Sequence, residues 1–238
     1  MNRGQRNFVL CLLLVSAAVT SEAQQVLHAH VELRRNGHRV RDASKAVVWL
    51  TPVGAKVARP QQQPTEIPRL VQKNKSFQPG LVVIPVGGKV EFPNRDPFFH
   101  NVFSLYEGKR FDLGLYESGT TRFVQFDKPG ISFIFCNIHA EMNAVVIALT
   151  TPYYAISDAR GDVSLANVPA GRYQLEIFHP SVDPDALRGV ARQVTVGLEQ
   201  TTLGSFSLSE TNMVAAHKNK YDREYDPPQP DSPAYAHP

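Results

Sequence analysis

The sequence has 238 residues, 42% of them apolar and 20% charged, which is enough for one large domain or two small ones. Its 25 basic and 22 acidic residues give a net charge of +3, and no basic run or mixed basic and aromatic patch indicates binding to nucleic acid. After the first residues, no apolar run approaches the length of a transmembrane helix.

The first residues have the three parts of an export signal. Arg3 and Arg6 form a positive region, residues 8–15 form an apolar core, and Ser21-Glu22-Ala23 places small residues where a signal peptidase cleaves. We predict that residues 1–23 are a signal peptide and that the mature protein is periplasmic or extracellular.

Removal of this signal would leave one cysteine in the mature chain. Cys11 lies in the apolar core of the signal, so Cys136 is the thiol that remains. Exported domains usually pair their cysteines, so a single one is either a reactive thiol or a metal ligand. Because a free thiol is a liability in an oxidising compartment, we favour the metal ligand.

Two strands are predicted directly after the signal. Residues 26–34 alternate between apolar and polar side chains, Asn36-Gly37 is typical of a tight turn, and residues 46–50 form a second apolar strand. His28 and His30 share the polar face of the first strand, where solvent exposure is a commoner explanation than metal chelation. The Pro- and Gln-rich residues 53–68 are predicted to be a loop or linker.

Residues 69–150 consist of short apolar segments separated by Gly, Pro, Asn and Asp, without a helical period. This pattern predicts an all-β sandwich or barrel. Residues 151–208 continue in the same way, with turns near residues 158–162 and 168–171. Residues 209–238 contain charge, tyrosine and proline but almost no aliphatic side chains, so they are predicted to form a disordered tail.

Three kinds of metal-binding side chain fall within residues 136–142. Cys136, His139 and Met142 supply a thiolate, an imidazole and a thioether. A thiolate, two imidazoles and a weak axial thioether are the ligands that suit a redox-active copper ion. The stretch therefore needs one more histidine from elsewhere in the chain.

His100 is the best candidate for the second imidazole. Cys136 ends one predicted strand and Met142 precedes the next, so the loop between them lies at one edge of the sandwich. His100 follows a turn-like stretch at residues 94–97 and begins a strand that we place at the same edge. Asn101 beside it is predicted to hydrogen-bond the backbone of the ligand loop and fix its orientation.

These two stretches resemble the copper motifs of cupredoxins of the plastocyanin and amicyanin type. Residues 90–92 with Asn94 and Asp96, followed by residues 100–102, are similar to the first motif, and residues 135–142 are similar to the second. The spacing Cys-x-x-His-x-x-Met is the short, amicyanin-like form.

The resemblance implies a Greek-key β-sandwich over residues 69–150 that carries single electrons on one type 1 copper ion. It implies that His100, Cys136 and His139 are equatorial ligands and that Met142 is axial. It also implies that His139 reaches the surface and passes the electron.

The ligand loop departs from the family pattern at positions that are not ligands. Ile138 stands where proline is usual, and Ala140 and Glu141 replace a proline and an aromatic residue. The predicted ligands are unaffected, but a carboxylate lies near the surface through which a partner would dock.

The segments on either side of the copper motifs resemble carboxypeptidase-regulatory and transthyretin-like β-sandwich modules. The similarity rests on Asp158, Gly161 and residues 168–173, and on the opening hairpin at residues 31–50. We predict a second, smaller β-sandwich made of residues 26–56 with 151–208 and interrupted by the copper domain. In the alternative arrangement, the opening hairpin joins the cupredoxin sheet. The complete layout resembles bacterial exported proteins of the methylamine-utilisation or plastocyanin-like kind.

The sequence thus predicts a copper protein, not an enzyme, that carries electrons between periplasmic partners such as a c-type cytochrome or a dehydrogenase. The predicted apolar docking patch around His139 consists of Phe98, Phe99 and Ile138. The single His-x-His pair is too few for a multicopper oxidase, and structural zinc rarely accepts a thioether. Copper storage or delivery, and a cell-surface binding module with a vestigial copper site, are the alternative functions.

Overall fold

The computed structural model describes residues 25–54, 66–105, 108–211 and 217–225. The predicted signal peptide and most of the predicted linker lie outside the described residues. Strands dominate the rest, with one helix among the described residues, so the all-β class predicted from the sequence is confirmed. None of the described residues forms a helix that is long and apolar enough to span a membrane.

The structure contains seventeen strands and one helix among its described residues. In chain order they are β1 (Val26–Arg35), β2 (His38–Arg39), β3 (Val47–Pro52), β4 (Val71–Gln72), β5 (Phe77–Gln78), β6 (Leu81–Pro85), β7 (Lys89–Pro93), β8 (His100–Ser104), β9 (Phe111–Tyr116), β10 (Thr121–Gln125), β11 (Gly130–Cys136), β12 (Asn143–Leu149), β13 (Tyr154–Ile156), β14 (Asp162–Ala166), β15 (Gly171–Phe178), α1 (Pro184–Val190), β16 (Arg192–Val196) and β17 (Thr202–Ser209).

Two four-stranded sheets are built from the two ends of the described chain. One has the order β14-β1-β17 with β2 paired to β1, and the other has the order β13-β3-β15-β16. The strands β1 and β17 are parallel although about 170 residues separate them, and the other pairs in these sheets are antiparallel. Buried side chains from both sheets share one hydrophobic core. We refer to these two sheets as the flanking unit.

The strands between residues 71 and 149 form the remaining sheets. The largest has the order β6-β12-β11-β8-β9, while β7 pairs with β10 and β4 pairs with β5. A second hydrophobic core lies between these elements and contains Phe92, Cys136 and Met142. We refer to this part as the central unit.

Strand β12 is buried on both faces and belongs to both cores. Because successive side chains of a strand point to opposite faces, its residues divide into two sets. Val145, Ile147 and Leu149 pack in the core of the flanking unit, whereas Ala144, Val146 and Ala148 pack in the core of the central unit. This explains why residues 144–149 are continuously apolar, and it means that the two units share a wall.

Helix α1 lies in a region for which the sequence predicts only strands and turns. Its N-cap Asp183 accepts a hydrogen bond from the N–H of Asp185 at 2.8 Å, and Pro184 occupies the first turn. An N-cap aspartate followed by proline is a helix-start signal that the β pattern of the surrounding residues obscured.

Replacing Ile147 with alanine tests whether the shared wall couples the two units. Ile147 is fully buried, so truncation should lower the free energy of unfolding by about 2–5 kcal/mol. Urea unfolding should be followed by the fluorescence of Trp49, in the flanking unit, and by the reactivity of the Cys136 thiol, in the central unit. We expect the two curves to shift together, and separate midpoints would show that the units unfold independently.

The buried His179 should make stability depend on pH. In the arrangement that its neighbours favour, its Nε2–H donates to the Ser44 carbonyl at 3.1 Å and its Nδ1 accepts from the Ser181 N–H at 3.2 Å. Burial lowers the pKa of His179, an effect only partly opposed by the bond to Ser44. The unfolded chain therefore binds a proton near pH 6.5 that the folded chain takes up only at lower pH, and stability falls as pH drops through this window.

This contribution can be isolated by substitution. In His179→Gln the free energy of unfolding should decrease less between pH 7.5 and pH 5.5 than in the unmodified protein. The matched control is His38→Gln, because His38 is exposed in the β1–β2 hairpin. Equal pH slopes for the His179 variant and the unmodified protein would contradict the prediction.

Candidate metal centre

Three predicted ligands converge at one edge of the largest sheet. The Sγ atom of Cys136 lies 3.6 Å from Nδ1 of His100 and 3.5 Å from Nδ1 of His139. One ligand atom from each residue lies within 4.8 Å of the others, and all three residues are buried. No other group of three His, Cys, Asp or Glu side chains in the described ranges could hold a metal ion.

Strand pairing brings these residues together. His100 begins β8 and Cys136 ends β11, and the two strands are antiparallel, with Cys136 opposite Val102. The loop after Cys136 turns back on itself, since the N–H of Met142 donates to the carbonyl of His139 at 3.1 Å. The N–H of Cys136 donates in turn to the carbonyl of Met142 at 3.2 Å. The short loop thus carries His139 over the end of the sheet.

The donor set fits a single metal ion. Bonds of about 2.0 Å to nitrogen and 2.3 Å to sulfur, with an angle of about 110–120°, separate the two donor atoms by about 3.5–3.7 Å. The observed separations from Cys136 Sγ, 3.5 and 3.6 Å, fall within this range. Two imidazoles with one thiolate form the trigonal set that suits copper.

The environment of Cys136 opposes ionisation but contains groups that stabilise a thiolate. Burial raises the pKa of the Cys136 thiol, and hydrogen bonds from the main-chain N–H groups of Asn101, Ile138 and His139 lower it in part. A metal cation would supply the remaining stabilisation, because a coordinating thiol loses its proton.

His100 is oriented by a buried carboxylate. Its Nε2 lies 2.9 Å from Oδ2 of Asp96. With the proton on Nε2, the imidazole donates to the carboxylate and turns the lone pair of Nδ1 towards Cys136. Carboxylates hold metal-binding histidines in this way in many metal sites. Burial lowers the pKa of His100, and the bond to Asp96 only partly offsets this effect.

Asp96 is itself held by the turn between β4 and β5. Its carboxylate accepts the N–H groups of Asn74 at 2.6 Å and Lys75 at 3.0 Å. Both residues have a positive φ, near 54° and 52°. Although burial raises the pKa of Asp96, these bonds and the one from His100 bring it below the usual value. The turn therefore keeps a charged carboxylate directly behind the ligand.

His139 is more covered than the resemblance implies. Only 7% of its surface is exposed, and the ring centroid of Phe98 lies 5.6 Å from that of His139 and 5.2 Å from that of His100. Burial is the main cause that lowers the pKa of His139 to about 4, and the nearby His100 is the second cause. The imidazole is therefore neutral and available as a ligand at neutral pH.

The other predicted residues surround this centre with different roles. Met142 is fully buried in the same core as Cys136. The main chain of Asn101, not its side chain, contacts the ligand loop: its carbonyl accepts the N–H of Asn137 at 3.0 Å, while its Nδ2 donates to Asp112 at 2.6 Å. Phe99 is 55% exposed, and Phe98 and Ile138 are half-buried.

Residues 217–225, which fall within the segment predicted to be a disordered tail, pack against this edge of the central unit. The Tyr225 hydroxyl donates to the carbonyl of Cys136 at 2.8 Å, and the Lys220 N–H donates to Oδ1 of Asn137 at 3.0 Å. No local sequence pattern predicts these contacts of Lys220 and Tyr225, because their partners lie more than eighty positions earlier in the chain.

Comparison with solved structures finds cupredoxins. The chain is similar to a purple cupredoxin from Nitrosopumilus maritimus at 21% identity and a TM-score of 0.32, over 34% of this chain and 99% of that one. It is similar to amicyanin from Paracoccus versutus at 20% identity and a TM-score of 0.33, over 42% of this chain and 97% of that one.

A copper-containing nitrite reductase from Thermus scotoductus SA-01 is also similar, at 26% identity and a TM-score of 0.34. The match covers 42% of this chain and 25% of that one. No protein-family model and no curated protein sequence matches the chain. Cupredoxins, the family that the two sequence motifs resemble, are thus among the solved structures to which this chain is similar.

The carboxylate behind His100 provides a test of the centre. In Asp96→Asn the charge is lost and one acceptor is removed, so His100 should be held less firmly and the affinity for Cu(I) should fall about 10–100-fold. Competition with a coloured Cu(I) chelator measures this affinity. The control is Asp127→Asn, which removes an exposed carboxylate paired with Lys109. Unchanged affinity in the Asp96 variant would mean that Asp96 serves only the β4–β5 turn.

Proposed function

We propose that the protein binds one copper ion as a type 1 centre and carries single electrons between redox partners after export. The observation that carries this proposal is the approach of two imidazole Nδ1 atoms to one buried thiol, at 3.5 and 3.6 Å. His100, Cys136, His139 and Met142 would hold the ion. When bound, copper supplies a one-electron couple between its cuprous and cupric states.

The residues around the site favour electron transfer because they restrict movement of the ligands. Asp96 fixes the orientation of His100, and the main-chain bonds of Met142 close the loop that carries His139. Ligands that do not move between oxidation states keep the reorganisation barrier low, which is the requirement for a carrier. A carrier needs no substrate pocket at the metal, and we propose that the protein is not an enzyme.

Electrons would leave through the aromatic cover of His139. We propose that Phe98, Phe99 and Ile138 form an apolar docking patch for a redox protein, such as a c-type cytochrome or a dehydrogenase. Phe98 supports this role because its ring contacts both imidazoles. Phe99 supports it because it is an exposed large apolar side chain next to that ring, the kind of residue that partner proteins bury.

Loading the protein with Cu(II) tests the proposed centre. We expect an intense visible thiolate-to-copper absorption band, a type 1 EPR spectrum, and loss of both in Cys136→Ser. The control variant carries His28→Gln and His30→Gln together, which removes the other closely spaced histidine pair, and it should keep the band. Absence of stoichiometric copper in the unmodified protein would favour the vestigial site.

A reversible one-electron potential would separate a carrier from a storage or delivery protein. A protein that binds Cu(I) tightly but does not cycle to Cu(II) without losing the metal would contradict the electron-carrier function and support copper handling.

The docking patch can be tested without knowing the partner, through electron exchange between the reduced and oxidised forms of the protein itself. Replacing Phe99 with serine should slow this exchange about tenfold, the effect of losing roughly 1.4 kcal/mol of contact energy. The matched control is Phe123→Ser, because Phe123 is 64% exposed on β10. NMR line broadening measures the rate, and equal rates for the two variants would contradict a docking role for Phe99.

A further inference from the structure

The segment at residues 217–225 binds the three consecutive residues that lead into the ligand loop. The ring of His217 stacks on Phe135 with 4.0 Å between centroids and an interplanar angle of 21°. The Tyr225 hydroxyl donates to the Cys136 carbonyl, and the Lys220 N–H donates to the side chain of Asn137. The contacts therefore cover the strand end that presents the thiol.

Lys220 closes a circuit of hydrogen bonds around the site. Its Nζ lies 2.8 Å from Oδ2 of Asp112, whose Oδ1 accepts from Nδ2 of Asn101 at 2.6 Å. The Asn101 carbonyl accepts the N–H of Asn137, and the Asn137 side chain accepts the N–H of Lys220. Asn101 directly follows the ligand His100, and Asn137 directly follows the ligand Cys136. The circuit thus joins the residues adjacent to two ligands on different strands.

The ion pair that completes the circuit is favoured by its surroundings. The hydrogen bond to Asp112 raises the pKa of Lys220. Burial opposes ionisation of Asp112, yet the bonds from Lys220, Asn101 and Gly114 bring its pKa below the usual value. Both groups are therefore charged at neutral pH.

The segment is ordered by its own turn as well as by these contacts. Oδ1 of Asn219 accepts the N–H groups of Tyr221 at 2.9 Å and Arg223 at 3.2 Å, and the Asn219 N–H donates to the Arg223 carbonyl at 2.9 Å. This polar turn explains how a stretch with almost no aliphatic side chains has a defined shape. It places Lys220 and Tyr225 on the same strand end.

We propose that residues 217–225 are a positioning element of the metal centre, with Lys220 and Tyr225 as its key positioning residues. They hold the main chain at Cys136 and the two flanking asparagines, so that the thiol and the imidazoles keep their spacing whether or not metal is bound. The proposal rests on the proposed function only in naming copper as the metal.

The copper-free protein provides the first test. In Lys220→Met and Tyr225→Phe, the strand end should open more often. The labelling rate of Cys136 by an aromatic disulfide reagent, measured from the mass of the peptide that contains it, should rise about tenfold in Lys220→Met, which loses a charge-assisted hydrogen bond. It should rise about threefold in Tyr225→Phe, which loses a neutral one. Lys220→Arg should restore the slow rate because it keeps a cation opposite Asp112.

Two control variants change the same segment without touching the ligand strands. Lys218→Met removes a lysine that pairs with Asp222 inside the segment, and Arg223→Gln removes an exposed guanidinium. Both should label at the unmodified rate. The fluorescence of Trp49 should show that all variants remain folded.

The copper-loaded protein provides the second test, since a segment that only adds stability would not alter the electronic structure of the site. Lys220→Met and Tyr225→Phe should shift the thiolate-to-copper band and the copper hyperfine splitting in EPR, and the controls should not. Unchanged labelling and unchanged spectra in both variants would overturn the proposal. If the unmodified protein bound no copper but labelling still rose in the variants, the proposed function would fail while the positioning of Cys136 stood.

Discussion

Burial of one thiol between two imidazoles is the constraint on which the rest of this site depends. Burial raises the pKa of Cys136 and lowers the pKa of both His100 and His139, so without metal all three groups are neutral at neutral pH. A metal ion has to displace only the thiol proton. The surroundings prepare for that exchange, because main-chain N–H groups already face Sγ and Asp96 already selects the tautomer of His100.

Each candidate ligand is held by a separate part of the chain. The β4–β5 turn supports His100 through Asp96, the return of the loop onto β12 supports His139, and residues 217–225 support the main chain at Cys136. The ligands therefore sit on one sheet edge, but their supports come from residues as far apart as 74 and 225. This distribution gives the site rigidity that its short loop, which has Ile138 two residues after Cys136, would not supply alone.

Sequence patterns predicted the structural features that depend on residues close together along the chain. The Asn36-Gly37 turn has positive φ at both residues, 51° and 80°, as a two-residue hairpin requires. The meeting of His100 with Cys136 and His139 followed from strand ends and ligand chemistry. The cover over His139 and the contacts of Lys220 were not predictable, because the first depends on how Phe98 packs and the second joins residues 108 positions apart. Helix α1 was missed because its start signal lies among strand-like residues.

The two-faced strand β12 makes the spacing of the chain itself a requirement. Its larger side chains, Val145, Ile147 and Leu149, serve one core, and the smaller set that contains Ala144 and Ala148 serves the other. Deleting or inserting one residue within the strand would exchange the two sets. The larger side chains would then overfill the core that contains Cys136, and gaps would open in the other core. Length changes should therefore be tolerated in the connecting loops but not in this strand, and recombination that transplants the candidate metal centre would have to carry both cores with it.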